Sequence, residues 1–195
     1  MNQLLVILTV LSSFFTNLEM KTLKTEFTVT VTEEAAQPLN FPGTITIHGR
    51  NFLLEMFNIE AAYDGSTLYM YNPETDELTL TTPTELELYE VNPFLFAKAI
   101  AESCTTTEQP VQNNQSPYTL ITLTPKDLSQ GINRFTLKVR NDDLMPLEAS
   151  IREGKKTTLL RLTNPAFVPS DTTYVIAPYE KTFVNDMRGE VKNEK

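Results

Sequence analysis

The stretch from Ala62 to Pro73, AYDGSTLYMYNP, sets the reading of the whole chain. Asp64-Gly65 predicts a tight hairpin turn, because both turn positions of a two-residue hairpin need φ > 0. Thr67–Tyr71 is rich in Tyr, Leu and Thr, residues that suit a pleated, half-buried strand. Asn72-Pro-Glu-Thr-Asp76 carries the signals of a second turn. A strand between two turns this close together is one leg of an antiparallel meander.

Outward from that stretch the period of two continues. Phe27, Val29 and Val31 alternate with Thr28, Thr30 and Thr32, as on a strand with one wet face. Ile45 and Ile47 alternate with Thr44 and Thr46, and Phe52, Leu54 and Met56 follow the turn at Gly49-Arg50. Glu60–Tyr63 and Glu77–Thr81 complete six strands. Five more are predicted over Tyr118–Thr124, Arg134–Arg140, Leu147–Arg152, Thr157–Thr163 and Tyr174–Ala177. Glu33 to Pro42 reads as a polar loop, and Cys104 to Pro117, rich in Thr, Gln and Asn, as a mobile one.

Helical period holds in two places. Leu4, Leu8, Leu11, Phe15 and Leu18 share one face of residues 2–20, and Asn2, Thr9, Ser13 and Thr16 share another. No Lys or Arg precedes this stretch and no small-x-small cleavage site follows it. It reads as the first helix of the mature domain, with any export signal already removed. Thr82-Pro-Thr-Glu85 opens a second helical stretch and Asn92-Pro93 a third, so helices occupy about 83–102.

The expected architecture is mainly β with an α cover. A curled antiparallel sheet of about eleven strands forms an incomplete barrel, closed by the N-terminal helix and a short helical lid. Residues 1–188 make one domain and 189–195 a frayed, charged tail. A sheet this large curls, and its apolar concave face needs the helices as cover. Such a curl is a natural place for a ligand cavity. Its candidate lining is Phe27, Val29, Ile45, Ile47, Phe52, Leu54, Met56, Phe135, Leu137 and Val139 from the sheet. Phe14, Phe15, Leu18, Phe94 and Phe96 come from the helices.

Composition removes several function classes. The 195 residues carry 25 Asp and Glu against 16 Lys and Arg, a net charge of −9. Nucleic acid, whose phosphates need a basic surface, is not an expected partner. Nor is an anionic membrane held by a polybasic patch. One Cys and one His leave no disulfide framework and no two-His metal site. No catalytic residues, metal or cofactor are expected. His48 sits on a strand, and Cys104 has no base or cation beside it in sequence to lower its pKa. Carboxylate pairs such as Glu85/Glu87 and Asp142/Asp143 fall in turns or on exposed faces. A hydrolase would need two carboxyls facing across the cleft.

Five motifs, in order, resemble the periplasmic lipoprotein carrier family of the LolA type. They are Leu23-Lys-Thr-Glu-Phe27 after the helix, the hairpin Gly43-Thr-Ile-Thr-Ile-His-Gly-Arg-Asn-Phe52, and Tyr63-Asp-Gly-Ser-Thr-Leu-Tyr-Met-Tyr-Asn-Pro73. Asn92-Pro-Phe94 and the closing Phe183-Val-Asn-Asp-Met-Arg188 complete the set. The resemblance implies an incomplete barrel whose cavity holds the acyl chains of lipoproteins, carried through the periplasm. The implied partners are an inner-membrane lipoprotein-releasing transporter and an outer-membrane acceptor, and a monomer is expected. It also implies an arginine near the second hairpin that bonds to the lid and holds the empty form closed, for which Arg50 is the candidate. A lipid-sensing or acceptor module of the same fold is the alternative within the resemblance. Separately, Asp171-Thr172-Thr173 fits a short pattern that some Gram-negative bacteria O-glycosylate.

Overall fold

A computed structural model describes residues 2–34, 36–112, 116–127, 131–169, 173–177 and 182–189, with the helix over residues 2–9 described by its backbone alone. Thr172, residues 190–195 of the tail, and the side chains of Leu4 and Leu8 lie outside the described residues.

Helix α1 (Asn2–Met20) leads into a meander of six strands: β1 (Thr22–Thr32), β2 (Leu39–His48), β3 (Asn51–Met56), β4 (Ile59–Tyr63), β5 (Leu68–Asn72) and β6 (Glu77–Thr81). Helices α2 (Glu85–Val91) and α3 (Pro93–Ala101) follow. Then come β7 (Cys104–Val111), β8 (Tyr118–Pro125), β9 (Ile132–Arg140), β10 (Pro146–Glu153), β11 (Lys156–Val168) and β12 (Phe183–Asp186). All twelve strands belong to one sheet, in the order β12-β6-β5-β4-β3-β2-β1-β11-β10-β9-β8-β7. It does not close, because β7 and β12 stand at opposite edges.

The two meanders are sewn together by β1 and β11, paired from Thr22↔Val168 to Thr32↔Thr157 with a bulge between Lys24 and Glu26. The Thr25 hydroxyl donates across that bulge to the Thr163 carbonyl at 3.0 Å.

Four expectations are corrected. The sheet has twelve strands, and β12 pairs parallel to β6 where an all-antiparallel sheet was expected. Cys104–Val111 is a strand in full register with β8 and not a mobile loop, since its Thr residues are good strand formers despite their polarity. β2 begins at Leu39, inside the expected loop, and Pro42 takes a place opposite Thr28. Tyr174–Ala177 is not a ladder strand. It buries Tyr174 and Ile176, and Ile176 packs with Ala62, Tyr69, Tyr71, Leu78 and Leu80 in a small second core.

The Asp64-Gly65 turn is also wider than two residues. Only Gly65 has positive φ, at 102°. Asp64 Oδ1 accepts from the backbone N–H of Ser66 and of Thr67, both at 2.8 Å, so the aspartate side chain builds the turn.

The main core lies between the concave face and the helices. Leu11, Phe14 and Leu18 of α1, Leu88 of α2, and Phe94 and Ala97 of α3 pack with Leu23, Ile47, Phe52, Ile121, Phe135, Leu137 and Val139 of the sheet. The N–H of Gly49, in the β2–β3 turn, donates to the Leu18 carbonyl at 2.7 Å and caps the end of α1. At Gly43 a Cβ would sit 2.4 Å from the Glu55 carbonyl oxygen and 2.5 Å from the Phe27 ring. Glycine there lets the Phe27 ring lie on the backbone of β2.

Candidate functional site

The lid is built from two capped helices. Thr84 and Glu87 form a reciprocal capping box at the start of α2. Asn92 ends α2 and starts α3, its Oδ1 accepting from the N–H groups of Phe94 and Leu95 at 3.1 and 3.3 Å. Pro93 at the first helical position needs no partner for a missing N–H. Both helices therefore turn on one buried residue.

Between this lid and the sheet is an apolar cavity of about 250 Å³. Seven of the residues expected to line such a space do so: Phe27, Val29, Ile45, Leu54, Met56, Phe94 and Phe135. Ala149, Ser150, Ile151, Thr158 and Leu160 of β10 and β11 complete the sheet wall, and Tyr89, Glu90, Val91 and Pro93 the lid wall. The β10 and β11 residues were not expected, although the same alternation that marked Phe135 and Leu137 marks Ala149/Ile151 and Thr158/Leu160. Glu90, exposed, is the only charged residue among the described lining.

The other expected residues lie elsewhere. Phe14, Ile47, Phe52, Leu137 and Val139 are wholly buried and Leu18 nearly so. Phe14 meets Phe94 edge-on, with centroids 5.7 Å apart. These side chains belong to the main core and do not line the cavity. Phe15 is half-buried and, with Leu18, borders a space of about 50 Å³ beside Arg50 and Lys98. Phe96 packs between Tyr89 and Phe135, at 6.4 and 6.2 Å.

Arg50, in the β2–β3 turn, reaches the lid. Its Nη2 donates to Glu85 Oε1 at 2.5 Å, and the Tyr89 hydroxyl donates to Glu85 Oε2 at 3.2 Å. The Arg50 hydrogen bond holds the Glu85 carboxyl below its usual pKa, and Glu85 in turn raises that of Arg50. Burial, then the Glu85 charge, pushes the Tyr89 hydroxyl up. A second ion pair, Lys98 to Glu19, joins α3 to α1. Both pairs are about half exposed, so each contributes at most about 1 kcal/mol.

Elsewhere, the Thr22 hydroxyl and His48 Nδ1 lie 3.3 Å apart. Cys104 is buried, and burial raises its thiol pKa, the opposite of what a nucleophilic thiol requires. Among the described residues no cluster of His, Cys, Asp or Glu could hold a metal, and no helix is long and apolar enough to cross a membrane.

Solved structures share this fold. An uncharacterized conserved protein from Thermus thermophilus matches with a TM-score of 0.61 at 12% identity, over 91% of this chain and 96% of that one. The fold is the same. MucB, in the MucA/MucB complex of Pseudomonas aeruginosa, matches with a TM-score of 0.51 at 14% identity, over 83% of this chain and 58% of that chain. A LolA superfamily protein, NE2245 from Nitrosomonas europaea, gives 0.42 at 8% identity, over 84% and 94% of the two chains. No family model and no curated protein matches the sequence. The open barrel with helices over its concave face, expected from the motifs, is the architecture this chain adopts.

Proposed function

We propose that this protein is a non-catalytic carrier that takes up the acyl chains of lipoproteins in the cavity beneath α2 and α3. On this reading it works in the periplasm and shuttles cargo from an inner-membrane lipoprotein-releasing transporter to an outer-membrane acceptor. The observation that carries the reading is the space itself: an apolar cavity under two short helices tied down by two half-exposed ion pairs, Arg50–Glu85 and Lys98–Glu19.

Binding strength suits the role. Burying a CH₂ is worth roughly 0.8 kcal/mol, so a sixteen-carbon chain offers about 12 kcal/mol before the costs of ordering. Cargo held that tightly is released only if the cover opens readily. The Arg50–Glu85 bond is weak enough to break, and Asn92-Pro93 gives the lid a joint on which to swing. Met56 and Met70 add adaptable side chains along the inner face.

The test is competition. The purified protein is loaded with a fluorescent apolar probe, and a triacylated lipopeptide or the same peptide without acyl chains is added. Displacement by the acylated form alone is the expected result. If neither form displaces the probe, or no probe binds, the reading fails.

A further inference from the structure

The chain is acidic as a whole, but its charge is unevenly placed. Residues 1–125 hold four basic residues against fifteen acidic ones, whereas residues 126–161 hold eight against five. That basic stretch is β9, β10 and β11 with their turns.

Phe135, Leu137 and Val139 of β9 point into the core, so Arg134, Thr136, Lys138 and Arg140 point outward. Ser150 and Arg152 of β10 share this outer face, and the Thr136 and Ser150 hydroxyls lie 2.7 Å apart. In its lower part the cations have partners. Glu148 accepts from Lys138 at 2.9 Å and from Arg161 at 3.1 Å, and Asp143 pairs with Arg140 at 2.6 Å.

The upper part differs. Arg134 and Arg152 stand directly opposite each other in the antiparallel register, with Cα atoms about 5 Å apart as such pairs are. Both are exposed, and among the described residues no carboxylate pairs with either. Among the described residues their guanidinium groups make one long bond, Arg152 Nε to the Gly154 carbonyl at 3.4 Å. Like charges directly opposite on a sheet are destabilising. Two adjacent guanidinium forks beside a row of hydroxyls suit the bidentate binding of carboxylates.

We propose that the outer face of β9 and β10 is a docking surface for an acidic segment of a partner protein, gripped by Arg134 and Arg152. An extended anionic membrane would meet the field of the whole −9 chain. A short acidic segment meets only this face, because charges more than about 8 Å away are screened at physiological salt. The surface lies on the other side of the sheet from the apolar cavity, so docking leaves the cavity free. The proposal does not depend on what the cavity binds.

Fluorescence polarisation with a labelled octaglutamate peptide tests it. Wild-type protein binds the peptide at physiological salt, and the affinity falls about tenfold when salt is raised to about 1 M. The double variant R134Q/R152Q loses about tenfold in affinity at physiological salt. It melts no lower than wild type, since the repulsion is gone. K21Q/K24Q, which removes two cations elsewhere, keeps wild-type affinity. The proposal is overturned if R134Q/R152Q binds as wild type does, if K21Q/K24Q weakens binding equally, or if the peptide does not bind. Tighter binding of phosphatidylglycerol vesicles than of the peptide, through the same two arginines, would overturn it in favour of a membrane surface.

Discussion

The concave face has two halves made of similar residues, and they behave differently. Around α1, Phe14 of the helix and Ile47, Phe52, Leu137 and Val139 of the sheet are wholly buried in one cluster. Beneath α2 and α3, Val29, Met56, Ile151 and Leu160 are only partly buried and surround open space. Strand alternation is equally regular in both. The cover makes the difference. α1 packs Leu11, Phe14 and Leu18, all among its described side chains, into the core. α2 and α3 have seven and nine residues and meet at Asn92, so neither presents a long stripe. One half is a core and the other a container.

The strongest way to break this comparison is to hollow out the tight half. Phe14→Ala or Phe52→Ala should destabilise by about 3–5 kcal/mol in chemical denaturation. Met56→Ala in the loose half should cost less than about 2 kcal/mol, because the space it would open is already there. Equal losses would mean that the two halves are packed alike.

Gly43→Ala comes next. Its Cβ has nowhere to go between the Glu55 carbonyl and Phe27, and a loss of about 1–3 kcal/mol is expected from the strain. Because the Phe27 ring lines the cavity, probe affinity should fall with it.

Filling the container sharpens the contrast from the other side. Ile151→Trp should reduce apolar-probe binding about tenfold while shifting the melting temperature by only a few degrees, as a filled cavity does not penalise the fold. An unchanged probe affinity would place the bound probe elsewhere.

Glu108, on β7, gives a pH handle. One of its oxygens, Oε1, is buried with no hydrogen-bond partner among the described residues. Burial raises its pKa, against a smaller opposing effect of the Leu11 N–H. A carboxyl whose folded pKa is raised costs stability when ionised. That cost is fully present at neutral pH and disappears as pH falls below the usual carboxylate range. Glu108→Gln should therefore raise the melting temperature at pH 7 and lose its advantage near pH 4.

The smallest effect belongs to Arg50→Ala. The exposed pair with Glu85 should cost about 0.5 kcal/mol, yet probe exchange measured by stopped flow should speed up if the bond restrains the lid. An unchanged exchange rate would leave Arg50 as a surface ion pair alone.

Much of this is legible in the sequence because it rests on local rules. Period two marks β1, β3 and β9, and period 3.6 with the Thr84 and Asn92 caps marks the helices. What escapes depends on partners distant in the chain. β7 looks like a loop because its outward Thr and Gln residues are polar, and only β8 beside it makes it a strand. β12 has four residues and borrows its ladder from β6. The division of the apolar strand face into core and cavity follows from where α1 lies, which alternation cannot encode. Arg50 is legible through a resemblance, whereas its acceptor, Glu85, reads in sequence only as a helix-start residue.

The seam between β1 and β11 has a consequence for how the protein is made. Thr22 and Val168, its first partners, are separated by most of the chain. The β1–β6 meander needs only neighbours and can form as soon as it emerges. Until β11 follows, β1 presents an edge of eleven residues, alternating Thr and Val over Thr28–Thr32, with no strand on its outer side, and such an edge invites pairing with other chains. Long-range strand pairing is also slow. The growing chain therefore passes through a stage at which its oldest strand is its most vulnerable, and a chaperone that shields that strand would shorten the list of ways it can go wrong.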